Sequence, residues 1–139
     1  MTLPSIATQF AAGIILVSCS PTAFGGQAST SAPSGSALYI NYCGSCHGPQ
    51  AKGNGPMAAA LKKMPADLTT IAKRNGGKFP PDIVFRTIDG RNPVMGHGGQ
   101  DMPVWGNAFL RAQGGVSPDV VKARIDALVS YLESIQQKP

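Results

Sequence analysis

Residues 43–47 read Cys-Gly-Ser-Cys-His, two thiols three positions apart with an imidazole directly after the second. Two thiols at that spacing can each add to one vinyl group of a single porphyrin and form two thioether bonds. The histidine that follows is then carried under the ring, where a nitrogen can bind iron as the proximal axial ligand. The pattern C-x-x-C-H reads as an attachment motif for c-type haem. Other readings of Cys43 and Cys46 are weaker. A zinc site wants four ligands, usually two such pairs, and the whole chain has three cysteines and two histidines. A thiol redox pair wants a strand–helix–strand setting, and no strong strand pattern surrounds this one.

Outward from the motif, the chain divides by composition. Its 139 residues suit one domain, and 17 glycines and 12 prolines point to many turns. Phe10 to Val17 is a short apolar run, too short for a bilayer span of about 20 residues but suited to the apolar region of a secretory signal. Leu16-Val17-Ser18-Cys19 resembles a bacterial lipobox, which makes Cys19 a lipidation candidate. No Lys or Arg precedes the run, which departs from the usual positive start, and ordinary cleavage between Ala23 and Ala28 is the alternative. Ser20 to Ser36 is rich in Ser, Gly, Ala, Thr and Pro and uncharged, which is linker composition. The expected organisation is therefore 1–18 signal, 19–35 flexible linker and 36–139 folded domain, with the protein exported or periplasmic and possible anchoring to the membrane through Cys19.

Charge is unevenly placed. The net charge is +5, residues 1–51 carry none, and 52–78 holds Lys52, Lys62, Lys63, Lys73, Arg74 and Lys78 against Asp67. From Phe79 onward acids and bases balance. The excess in 52–78 reads either as a solvated face or as a docking patch that speeds encounter with an acidic partner. Nucleic acid is not an expected partner, because no stacking aromatics interleave these bases.

The folded part reads as helical. Ala37 to Tyr42 forms a helix leading into the motif, capped by Ser34 or Ser36 and stopped at Gly48-Pro49. Met57 to Met64 has good helix formers up to Pro65. Asp67 caps a short helix that ends at Asn75-Gly76-Gly77, and Pro81 to Ile88 is opened by proline and closed by Gly90. Gly90 to Asp101 is a glycine-rich loop. Ser117-Pro118 starts the clearest helix, in which Val121, Ile125, Leu128, Leu132 and Ile135 step by 4, 3, 4 and 3 along one apolar stripe. Its expected packing partner is the first helix.

From Ser36 to Gln137 this order of features resembles a class I cytochrome c. The resemblance implies an all-α cytochrome c fold, with N- and C-terminal helices packed together and short helices and loops around one covalently bound haem c. In that family a methionine from a downstream loop is the distal iron ligand. Met102-Pro103-Val104-Trp105-Gly106 closely resembles the Met-Pro-x-Trp/Phe-Gly pattern that carries it, with Met102 55 residues after His47. Met95 and His97 are rivals. A proline carbonyl orients the proximal histidine in the family, and Pro56 is the candidate here. Trp105 is expected on the haem edge or in the core, and Arg91 and His97 lie in a loop that could reach a propionate.

The resulting expectation is an exported monohaem carrier of single electrons, not itself an enzyme, with Cys43 and Cys46 holding haem and His47 and Met102 binding iron. Its partners would be an oxidase, a quinol–cytochrome complex or an exported dehydrogenase of which it could be a subunit. A haem enzyme or gas sensor with an open distal position is the alternative from another class. It would need distal acid–base groups, for which only His97 is available. A zinc-binding structural module is a third.

Overall fold

The computed structural model describes residues 33–92, 102–112 and 115–138. Among them there are helices and turns and no strand. Helix α1, Gly35–Tyr42, starts where the Ser34 side chain accepts the Ala37 amide at 3.2 Å, which satisfies one of the free N–H groups of the first turn. It runs into α2, Gly44–His47, with only a bend at Cys43, whose own N–H still reaches the Tyr39 carbonyl. Gly48 ends this unit at φ 79°, in a region open to glycine at little cost.

The segment 57–64 is not the helix its composition suggests. Only one turn of 3-10 helix forms, Ala58–Ala60, and Leu61 is already extended. The Met57 N–H is drawn back to the Ser45 carbonyl and the Gly55 N–H to the Cys46 carbonyl, so the loop is pinned against α2 before a longer helix can propagate. Asp67 does cap, accepting from the Thr69 amide and hydroxyl at 2.8 and 2.6 Å. A 3-10 turn, Leu68–Thr70, and then α3, Ile71–Arg74, follow it. Burial would raise the Asp67 carboxyl, but the two Thr69 hydrogen bonds, helped by Lys52 and Arg74, hold it below the ordinary carboxylate range. Helix α4, Pro81–Asp89, opens on proline and closes on left-handed Gly90.

Helix α5, Trp105–Arg111, has no counterpart in the sequence reading. Its seven residues begin after a Met-Pro loop and hold a glycine, too few to show a periodic stripe. Helix α6, Pro118–Ser134, is capped by Ser117, and Val121, Ile125, Leu128 and Leu132 are buried while Ile135 has left the helix and is half-buried.

α1 packs across α6, and α4 and α5 also lie on α6. Tyr39 and Tyr131 meet with ring centroids 5.3 Å apart. Burying a side chain such as Ile125 or Leu128 contributes on the order of 2 kcal/mol. The exposed Lys122–Asp126 pair on the outer face of α6 contributes a few tenths, so the apolar stripe decides how α6 lies. The crossing is close at Gly35, where a Cβ would overlap the carbonyl oxygen of Ala127 and press on the Cβ of Tyr131. Gly35→Ala is therefore expected to lower stability by about 1–3 kcal/mol, although alanine is intrinsically the better helix residue. A denaturant midpoint equal to or above that of the parent protein would show that the two helices do not meet this closely.

Candidate functional site

Helical geometry brings the motif together. Cys43, Cys46 and His47 stand at i, i+3 and i+4 on the nearly continuous α1–α2 helix, and such positions share one face. That face is held by a buried hydrogen bond, in which the Tyr39 hydroxyl donates to the Gly48 carbonyl at 2.6 Å. Burial, with Cys43 and Tyr131 adding to it, pushes the Tyr39 phenol above its ordinary value, so it stays a donor.

All three side chains open into one cavity of about 490 Å³, a size typical of small-molecule and cofactor sites. Its walls come from most of the fold. Tyr42 and the motif, Leu68 and Ile71, Ile83 and Ile88 of α4, and Leu128 and Leu132 of α6 all line it. Met102, Pro103 and Trp105 line the same cavity. The stripe of α6 is thus both core and cavity wall.

The chemistry of these groups suits a covalently held haem. Burial lowers the pKa of His47, with the Ala66 carbonyl bond opposing it, so the imidazole is favoured in the neutral form that binds metals. Burial, reinforced by Cys46, pushes the Cys43 thiol up to about 11. A thiol redox pair needs a lowered pKa at its attacking sulfur, so Cys43 is a poor centre for that chemistry. Among the described residues no three His, Cys, Asp or Glu side chains gather into a metal site, so the zinc alternative finds no ligand set there.

The acceptor for His47 differs from the expected one. Its Nδ1 lies 2.9 Å from the carbonyl oxygen of Ala66, which leaves Nε2 as the ring nitrogen available to a metal. Pro56 does not take this role. It is exposed, in the loop that Gly55 and Met57 tie to the back of α2, and does not line the cavity. Ala66 follows Pro65 and precedes the capping Asp67, two residues that fix the backbone on either side of the carbonyl. The visible signal was the Pro65–Asp67 pair, but nothing in sequence says which proline loop folds under the histidine.

Trp105 lines the cavity and packs on two aromatic rings, with centroids 5.4 Å from Tyr42 and 5.6 Å from Phe109. Arg91 does not line the cavity. Its guanidinium is engaged with Asp89 at 2.8 Å. Cys19, Met95 and His97 lie outside the described residues. In the basic segment, Lys52 is held by Thr69 at 2.9 Å and Asp67 at 3.7 Å, whereas Lys62, Lys63, Lys73 and Lys78 are exposed. Lys63 and Arg74 border the cavity, a position the sequence did not reveal.

A family model for cytochrome c matches residues 32–136. The chain belongs to the cytochrome c family. It carries a haem-binding domain of the electron-transfer type, and domains of this family hold haem c covalently, with iron. The all-helical fold agrees with that membership. Members are typically electron carriers, and cytochrome c domains are generally exported or periplasmic. No helix among the described residues is long and apolar enough to cross a membrane. Searches of curated proteins and of solved structures return no match.

Proposed function

We propose that this cytochrome c carries single electrons between exported partners through haem iron ligated by His47 and Met102. The observation that carries the reading is that Met102 opens into the same cavity as Cys43, Cys46 and His47, although 55 residues separate it from the histidine. Haem, when bound, supplies a one-electron iron couple. The protein's part is to hold and tune it. Cys43 and Cys46 present their sulfurs from one helical face. His47 is kept neutral by burial and oriented by the Ala66 carbonyl, an outer contact of the kind that raises ligand basicity. Met102 would offer a soft, neutral thioether, which favours ferrous iron and raises the potential. The apolar walls exclude water from the couple. With His47 and Met102 both given to iron, electron transfer would be favoured over chemistry on an added ligand.

The partner class that fits is an oxidase, a quinol–cytochrome complex or an exported dehydrogenase. The exposed bases Lys62, Lys63, Lys73 and Lys78, with Lys63 beside the cavity, are the proposed docking charge. Lys52 is excluded from that patch because Asp67 and Thr69 occupy it. Attachment to the membrane by acylation at Cys19 is the proposed tether.

Three outcomes are expected. Protein matured with haem-attachment machinery gives a c-type reduced spectrum and, when oxidised, a weak far-red iron–thioether band that Met102→Ala abolishes; a mutant indistinguishable from the parent would remove Met102 from the iron. Reduction of an acidic partner slows as salt rises from low to physiological strength, since exposed charges are screened over about 8–10 Å there, and rates independent of salt would dismiss the basic patch. Mass spectrometry of the mature protein finds an acylated N-terminal Cys19, and a free N-terminus further along the chain would rule out the tether.

A further inference from the structure

The most buried ion pair among the described residues lies at the end of α4. The Asp89 side chain is 9% exposed, against 32% for Asp67 and 49% for Asp126 in the other two pairs. Its carboxylate accepts Arg91 Nε at 2.8 and 3.1 Å and Arg91 Nη2 at 2.8 Å, a forked contact. Removing a carboxylate from water is costly before pairing, and the last turn of a helix disfavours an anion. Gly90 already terminates α4 in left-handed geometry, so the helix end does not need the pair.

What lies against the pair is the start of α5. A Cβ on Gly106 would overlap Asp89 Oδ1, and would come within 2.6 Å of Arg91 Nε and 2.9 Å of the Asp89 carbonyl oxygen. From the other side, a Cβ on Gly90 would meet the Val104 Cα at 3.2 Å. The exit of α4 and the entry of α5 are thus interlocked through two glycines, with the ion pair folded over one of them. Met102 stands two residues before Val104 and four before Gly106, and it faces the cavity.

We infer that the Asp89–Arg91 pair, closed over Gly106, is a clamp that positions Met102 in the haem cavity and keeps its thioether seated on iron. The inference rests on Met102 being the distal ligand, as proposed above. Asp89 and Arg91 act as positioning residues, since neither lines the cavity. A fixed anchor two to four residues from the sulfur confines it near one position and so raises its effective concentration at the metal. Loosening that anchor enlarges the fraction of molecules with an open distal site, and an external ligand then binds in proportion to that fraction.

The test uses ferric holoprotein titrated with imidazole, with the far-red thioether band and far-ultraviolet circular dichroism recorded on the same samples. Asp89→Asn and Gly106→Ala are expected to bind imidazole about tenfold more tightly than the parent and to show a weaker band at unchanged helix content. Arg91→Lys, which keeps the charge but not the fork, is expected to fall between them and the parent. It also serves if Asp89→Asn does not fold, because it keeps an opposite-charge pair where Asp89→Asn leaves the Arg91 guanidinium without its carboxylate. Val129→Ala removes buried volume from α6 away from the cavity, and is expected to lower stability with imidazole affinity unchanged. Parental affinity and band in both Asp89→Asn and Gly106→Ala would overturn the clamp alone. Equal tightening in Val129→Ala would also overturn it, by showing general loosening. Absence of the band from the parent protein would overturn the Met102 reading and the clamp with it.

Discussion

The close crossing of α1 over α6 is the contact on which the rest of the structure depends. A four-residue helix such as Gly44–His47 has no independent stability, because nucleating a turn costs more than its few hydrogen bonds return. It exists as a continuation of α1, and α1 is fixed because Gly35 lets its backbone settle onto Ala127 while Leu38 and Tyr39 are buried beside it. Once α1 is placed, Cys43, Cys46 and His47 have no freedom of direction, and the Tyr39–Gly48 hydrogen bond closes the end of the unit. α6 therefore does two things with one apolar stripe. Around Ala127 and Tyr131 it receives α1, and its neighbouring residues Leu128 and Leu132 line the cavity.

The cavity explains why a chain with few aromatic residues needs a large apolar group. Helices α4 and α6 and the 61–74 segment turn their apolar side chains toward a space that protein atoms do not fill. Close packing is the normal state of a protein interior, so the family's haem would belong to the core as well as to the function. Membership of the cytochrome c family places this cofactor firmly. The polar contacts around the cavity are correspondingly few and specific. Ala66 faces the histidine, Asp67 and Thr69 organise the backbone that carries it, and Gln136 ties the chain end to that segment through the Ala72 amide and the Leu68 carbonyl.

Electrostatics divides the basic segment. Charge counted along the sequence treats its six bases alike, but Lys52 neutralises Asp67 and supports the turn under His47, and Arg74 donates to the Asp67 carbonyl at 2.8 Å. The bases left exposed and without an acidic partner among the described residues are the ones whose field reaches solvent. Asp89 and Arg91 show the opposite case. They are two residues apart in a balanced stretch of sequence, where they look like ordinary surface charges, and they form the most buried pair among the described residues.

The sequence by itself determined the cofactor chemistry, the helical class and the principal helices. Cys43, Cys46 and His47 read as one motif because residue type and spacing are local, and the structure opens all three into one cavity. The α6 stripe and the caps at Asp67 and Ser117 were legible because they obey the helical period and satisfy amides within three residues, and of the two candidates Ser34 and Ser36 the structure selects Ser34. Folding decided the rest. The acceptor for His47 was Ala66 and not Pro56, because a backbone carbonyl carries no sequence signature and either proline loop could have reached. The 57–64 segment lost its expected helix to long-range hydrogen bonds from Gly55 and Met57. Ala51 adopts φ 60°, a conformation uncommon outside glycine, while its N–H and carbonyl are committed to Gly48 and Leu68. Arg91 turned to Asp89 and away from the cavity. The carbonyl beside His47, the acceptors for Gly55 and Met57 and the Leu68 amide on Ala51 come from parts of the chain 9 to 19 residues away, which no local pattern names.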